Sequence, residues 1–171
     1  MLKKIIQNNK PKIKIEKDNI DKLLILITLI AVGLIIYLPV SNYMQLPTEI
    51  PNHFGVDGKP DDYADKNIIF LLPIMSIFLT LLLQIITRFP HTFNFPIIIT
   101  EENALKQYKI AIRMILWLNA SISFVFLYIT YFTIQVALGK QQQMSPYFVT
   151  IFLGIVFIPL GISIYNMYKY K

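Results

Sequence analysis

Four uncharged apolar runs dominate the chain, each bounded by polar or charged residues. They cover residues 23–40, 68–87, 114–138 and 147–168. An α-helix rises about 1.5 Å per residue, so roughly 20 apolar residues cross about 30 Å of hydrocarbon. A helix also satisfies its own backbone in a medium that offers no hydrogen bonds. The pattern predicts an all-α integral membrane protein, a bundle of four transmembrane helices. The first run follows a Lys-rich stretch, as a secretory leader would. It is longer than a leader's apolar region, and no small-x-small cleavage site follows it. Ser41-Asn42-Tyr43 reads as an exit into water, so this run is read as a retained span.

Prolines and polar residues refine the spans. Pro73 falls in the first turns of the second, where a missing N–H costs least, and Pro146 starts the fourth. Pro159 lies inside the fourth, where it should kink the helix and free a carbonyl for a neighbouring donor. No Asp, Glu, Lys, Arg or His lies well inside any span. Ion-coupled transport and intramembrane proteolysis usually need such groups at depth. Thr28, Ser76, Thr80, Gln84, Asn119, Ser121, Ser123, Thr130, Thr133, Gln135 and Ser163 are read as interhelical hydrogen-bonding groups, Asn119 and Gln84 foremost.

Composition agrees: the chain is 55% apolar, with a mean hydropathy of +0.54. It has no cysteine, so disulfides and thiolate metal sites are excluded. The net charge is +6, and the bases cluster at the edges of apolar runs rather than on one surface, which disfavours nucleic acid as a partner. Thirteen bases flank one side: Lys3, Lys4, Lys10, Lys12, Lys14, Lys17, Lys22, Arg88, Lys106, Lys109, Arg113, Lys169 and Lys171. The other side has Lys59, Lys66 and Lys140. The positive-inside rule puts both termini in the cytoplasm (N-in/C-in), with the 41–67 loop outside and the 88–113 loop inside. The domain division is then a basic cytoplasmic segment, residues 1–22, and a four-helix membrane domain, residues 23–171.

The outer loop is unlike the rest. Pro47, Pro51 and Pro60 each fix φ and restrict the preceding residue, so an ordered, extended, Pro-rich extracytoplasmic segment is expected. Val56-Asp57-Gly58-Lys59 suits a two-residue hairpin turn with Gly at positive φ, which would fold Ile50, His53, Phe54 and Val56 back on Tyr63. Glu49, Asp57, Asp61, Asp62 and Asp65 make the loop acidic. Their spacing matches no calcium loop, and His53 and His91 fall on opposite faces, so no metal and no cofactor is expected.

Leu46-Pro47-x-x-Ile50-Pro51-x-His53-Phe54, followed by Gly58-Lys59-Pro60-Asp61 and a closing Lys66, resembles the signature of the bacterial membrane domain of unknown function 1648. Asp62, Ala64 and Asp65 depart from that family's usual Gly and Ser. The resemblance implies a protein of the bacterial plasma membrane. It also implies a link to the immunity proteins that protect sporulating cells from a secreted killing peptide, whose N-terminal part is this domain. Those proteins carry a second C-terminal membrane domain, for which 171 residues leave no room. Leu46, Pro47, Ile50, Pro51, His53, Phe54, Gly58, Asp61 and Lys66 are accordingly the candidate ligand-binding residues.

The inner loop carries Phe89-Pro90-His91-Thr92-Phe93-Asn94-Phe95-Pro96, which is similar to the stretch after span two in short, stand-alone members. Thr100 reads as an N-cap, with Glu101 and Glu102 complementing the helix dipole. Asn103 stands where a capping box has Glu or Gln, so an incomplete box is expected. From there a helix should run unbroken into span three. Pro90, Asn94, Pro96, Asn103 and Tyr108 are the candidate partner-binding residues of this face.

No HExxH, GxSxG, phosphate loop or paired intramembrane carboxylate is present, so no enzyme is expected. The leading expectation is an extracytoplasmic recognition loop on a helical anchor. It would meet a peptide or membrane-protein partner, in immunity to an antimicrobial peptide or in envelope sensing. The alternative is a signalling scaffold that docks a cytoplasmic transcription regulator.

Overall fold

The computed structural model describes residues 10–171; Lys3 and Lys4 lie outside the described residues. Four long helices carry the fold: α1 (Asn19–Asn42), α2 (Leu71–Ile86), α3 (Glu101–Ala137) and α4 (Phe148–Lys169). With adjoining 3-10 turns, all four are long and apolar enough to cross a membrane. The protein is thus a multi-pass membrane protein by the length and composition of its helices. Helix α3 is the hub, packing on α1, α2 and α4. Its 37 residues extend about 56 Å, well beyond a bilayer's hydrocarbon, and its first turns lie beside Pro11 and Tyr170.

The 41–67 loop corrects a wholly α reading. Strands β1 (Glu49–Phe54) and β2 (Pro60–Asp65) form an antiparallel hairpin between α1 and α2. Its turn is one residue longer than the two-residue connection expected. The Gly58 amide donates to the Gly55 carbonyl at 2.9 Å, Gly55 pairs with Lys59 at 2.8 Å, and Gly58 adopts φ +81°. That is a three-residue connection ending in a left-handed glycine.

Helix ends show why α1 and α3 begin before their apolar runs. The Asp18 side chain accepts from the Ile20 and Asp21 amides, while Asp21 accepts from the Asp18 amide at 3.1 Å. This box starts α1 four residues before Leu23. The box on α3 is complete, contrary to expectation. Asn103 Oδ1 accepts from the Thr100 amide at 2.9 Å, doing the work of a Glu or Gln with a shorter side chain. Its Nδ2 still donates to the Ile98 carbonyl at 3.1 Å. Pro159 does free a carbonyl: its ring removes the donor for Ile155, and Trp117 Nε1 of α3 donates there at 3.0 Å.

The polar residues of the spans divide into three groups, and in one of them Ser76 Oγ and Thr130 Oγ1 are buried without a hydrogen-bond partner among the described residues, against the expectation of interhelical bonds. Thr80 Oγ1 donates to Asn119 Oδ1 at 3.2 Å, a buried α2–α3 bond, and Lys17 Nζ reaches Gln84 Oε1 at 3.2 Å. Thr28, Ser121 and Ser163 instead donate to carbonyls of their own helices, four residues back.

Arg113 of α3 bridges Asp21 of α1 and its N-cap residue Asp18, with Nε 3.0 Å from Asp21. The Asp21 amide and the Arg113 guanidinium hold the Asp18 carboxyl below its ordinary value of 3.8, against opposing desolvation. A lowered carboxylate contributes stability that is whole above that ordinary value and is lost as pH falls through the folded one. Acid titration in micelles should therefore show a loss of thermal stability below about pH 4. The Asp18→Asn variant, which keeps a capping oxygen, should lose that step; an unchanged step would assign it elsewhere.

Candidate functional site at the hairpin

Each face of the hairpin has a separate role. Leu46 and Ile50 are buried with Ile69 of the following turn and Ile134 of α3, and Ile50 is 0% exposed. Pro51 is buried beside them. Lys66 closes the base: its amide donates to the Thr48 carbonyl at 2.9 Å and its ammonium lies 4.6 Å from the Tyr43 ring centroid. Four of the candidate residues thus fasten the hairpin to the bundle. Pro47, His53 and Asp61 are exposed, and Phe54 is half-buried.

The strand register slips twice. Pro51 pairs with Tyr63 but His53 with Asp62, and Phe54 then pairs with Pro60. Asn52 and Asp61 are the two residues left over, and a bulge re-aims the side chain it carries. Both aim across the hairpin: Asn52 Nδ2 donates to Asp62 Oδ2 at 2.7 Å, and His53 Nδ1 meets Asp61 Oδ1 at 2.6 Å. An ionised carboxylate can only accept, so Nδ1 is the donor of this pair. The His53 and Asp61 side chains are 67% and 54% exposed, a polar pair held ready at the surface.

The tip is docked. Met144 N–H, in the segment between α3 and α4, donates to the Gly58 carbonyl at 2.7 Å. A Cβ on Gly58 would lie 2.3 Å from the Met144 oxygen, so glycine serves both the turn and the close approach. This contact joins the hairpin to the loop between α3 and α4. Among the described residues, no group of three or more His, Asp or Glu converges as a metal site would require.

The matched sequence coincides with this element. Residues 23–77 match the family model of the domain of unknown function (DUF1648). The matched domain runs from the start of α1 through the whole hairpin to the middle of α2, so its core is the α1–hairpin–α2 unit. Ile134 and Met144, on which that unit rests, lie outside it. An uncharacterized protein of Archaeoglobus fulgidus is 28% identical over 146 residues, covering 77% of this chain and 80% of that protein. No solved structure matches.

At the other end the candidate residues are engaged within the fold. Tyr108 is 0% exposed, lies with its ring tilted against Phe95 at 5.6 Å and donates to the Pro11 carbonyl at 3.0 Å. Pro90 is buried, and Asn103 makes the cap described above. Only Asn94 and Pro96 of that group are exposed. Two features escaped the sequence reading: the Asp18–Asp21–Arg113 bridge and the buried Gln107, whose amide donates to the Met167 and Tyr170 carbonyls at 3.1 and 2.7 Å. The Asp-x-x-Asp spacing before the first apolar run was a signal for the bridge's α1 half; nothing local marked its partner.

Proposed function

We propose that the chain is a non-enzymatic recognition protein of the plasma membrane, with both termini cytoplasmic and the hairpin presented outside. It would serve immunity to an antimicrobial peptide or sensing at the envelope. The observation that carries this reading is the hairpin itself. Its apolar face and tip are fixed to the bundle, while bulges hold His53, Asp61, Asn52 and Asp62 outward in defined pairs. Preorganised polar groups on a rigid element suit recognition, because little ordering entropy remains to oppose binding. The excess of bases at the opposite end supports the orientation. Docking of a cytoplasmic regulator has less to stand on, since Pro90, Asn103 and Tyr108 are occupied internally.

Deleting the gene should raise sensitivity to at least one member of a panel of membrane-active peptides. Wild-type protein should restore resistance, and His53→Ala with Asp61→Asn should not, at equal membrane abundance. Unchanged sensitivity across the panel would count against the reading.

A further inference from the structure

Strand β1 lies between α3 and β2, which leaves β2 as the outer strand of the hairpin. Asp61, Asp62, Tyr63 and Asp65 of β2 are exposed. Register decides which backbone groups face outward. Opposed residues in an antiparallel ladder alternate between hydrogen-bonded and non-hydrogen-bonded pairs. The Lys66 amide donates to the Thr48 carbonyl at 2.9 Å, so that pair is of the hydrogen-bonded kind. Counted from there, Glu49–Asp65 and Pro51–Tyr63 are non-hydrogen-bonded pairs. Pro51, which has no N–H, sits where the ladder asks for none. The N–H and C=O groups of Tyr63 and Asp65 therefore point away from β1. No backbone group outside the hairpin pairs with them among the described residues. Strand β2 thus has an open edge of 6 residues, about 20 Å long, able to pair with another extended chain.

Side chains decide which chain that edge admits. Glu49 and Asp65 stand directly opposite in a non-hydrogen-bonded pair, where side chains approach most closely, and like charges so placed repel. Among the described residues neither carboxylate has a Lys, Arg or His within ion-pair distance. Lys66, adjacent in sequence, holds its ammonium over the Tyr43 ring instead. Asp62 accepts from Asn52 Nδ2, a neutral donor that leaves its charge in place. An added strand would set the residue opposite Asp65 with its side chain on the Glu49–Asp65 face. A Lys or Arg there meets the repelling pair and offsets its charge. A second copy of this chain is a poor occupant, since β2 against β2 brings Asp61, Asp62 and Asp65 together with their own kind.

We infer that the open edge of β2 is a strand-addition site for an extended cationic peptide. The Tyr63 and Asp65 backbones supply the hydrogen bonds, and the Glu49–Asp65 pair selects basic residues at alternate positions. The inference rests on the recognition reading of the hairpin and names its ligand class.

The full chain in phosphatidylcholine nanodiscs, whose lipid carries no net charge, would be titrated with a labelled hexapeptide of alternating Lys and Val. The matching Glu–Val peptide is the control. The Lys peptide should bind about tenfold more tightly, and the margin should shrink as salt is raised. On binding, the Tyr63 and Asp65 amides should exchange with solvent about tenfold more slowly, because both gain acceptors. In the added strand the Lys amides face β2 and the Val amides face water. Methyl groups on the Lys backbone nitrogens should therefore weaken binding about tenfold, and on the Val nitrogens by no more than about twofold. Glu49→Gln with Asp65→Asn, which keeps an oxygen for the Asn67 amide, should remove most of the preference for Lys over Glu.

Equal weakening by the two sets of methyl groups, or unchanged exchange at Tyr63 and Asp65 with the peptide bound, would mean attraction by charge alone and overturn the site. Equal binding of the Lys and Glu peptides, no saturable binding of either, or an undiminished preference in the double variant would do the same. The peptide comparisons are made on the wild-type chain and need no variant to fold. An unprotected edge with peptide resistance intact would remove this site and leave the recognition reading. Edge protection by the Lys peptide without any resistance phenotype would do the reverse.

Discussion

Replacing Arg113 with Met is expected to lower the stability of the bundle by about 3–5 kcal/mol, the cost of leaving a buried charge without its partner. The Asp21 side chain is 3% exposed, and its carboxylate is held by Arg113 Nε at 3.0 Å and by the Asp18 amide at 3.1 Å. Without the guanidinium one amide hydrogen bond remains to that carboxylate. Lys at this position should recover only part of the loss, since the Arg fork reaches Asp18 and Asp21 together and an ammonium is a single point. The measurement is denaturation in mixed micelles, followed by helix content. Adding Asp21→Asn to Arg113→Met should restore at least half of the loss, because the two sites are coupled through one contact. If Arg113→Met stays within about 0.5 kcal/mol of wild type, as surface substitutions do, Asp21 is solvated rather than dependent on the pair.

Arg113 also shows where sequence reading stops. A base at the edge of an apolar run is expected from topology alone, so it raises no question. Its partners lie 92 and 95 residues away, and no periodicity joins them. The helices were legible because hydrocarbon demands length and apolarity together, two properties a sequence displays openly. The long α3 was legible as well, through Thr100 and the absence of a breaker before the third span. The hairpin was half-legible. Gly58 announced a positive φ, but β1 reads Glu-Ile-Pro-Asn-His-Phe with two adjacent buried residues, and the bulge at Asn52 breaks the alternation that marks a strand. The family-like motif misled in one respect. It gathered Leu46, Ile50 and Pro51 with His53 and Asp61, although the first three hold the hairpin down and the last two face outward. A motif records which residues a shape requires, and it does not separate those that build the shape from those that use it.

Replacing Gly58 with Val is expected to detach the hairpin tip at a local cost of about 2–3 kcal/mol, from a left-handed non-glycine residue and one lost hydrogen bond. The obstacle is double. At φ +81° any L side chain is strained, and the new Cβ would lie 2.3 Å from the Met144 carbonyl oxygen. That oxygen belongs to backbone, so no rotamer change can relieve the contact. The segment must move, which breaks the 2.7 Å bond from the Met144 amide. Leu46 and Ile50 remain packed against Ile134, so the hairpin base should stay in place and the damage should be confined to its far end. Hydrogen exchange distinguishes local from global loss. The Met144 and Gly58 amides should exchange about a hundredfold faster, while the Lys66 amide at the base keeps its protection. Gly58→Asn separates the two causes. Asn tolerates a left-handed backbone, so it should still release the tip if the approach to Met144 is what matters. If Asn is accepted and Val is not, the left-handed turn conformation alone sets the requirement at this position, and the hairpin does not depend on Met144 for its position over the bundle.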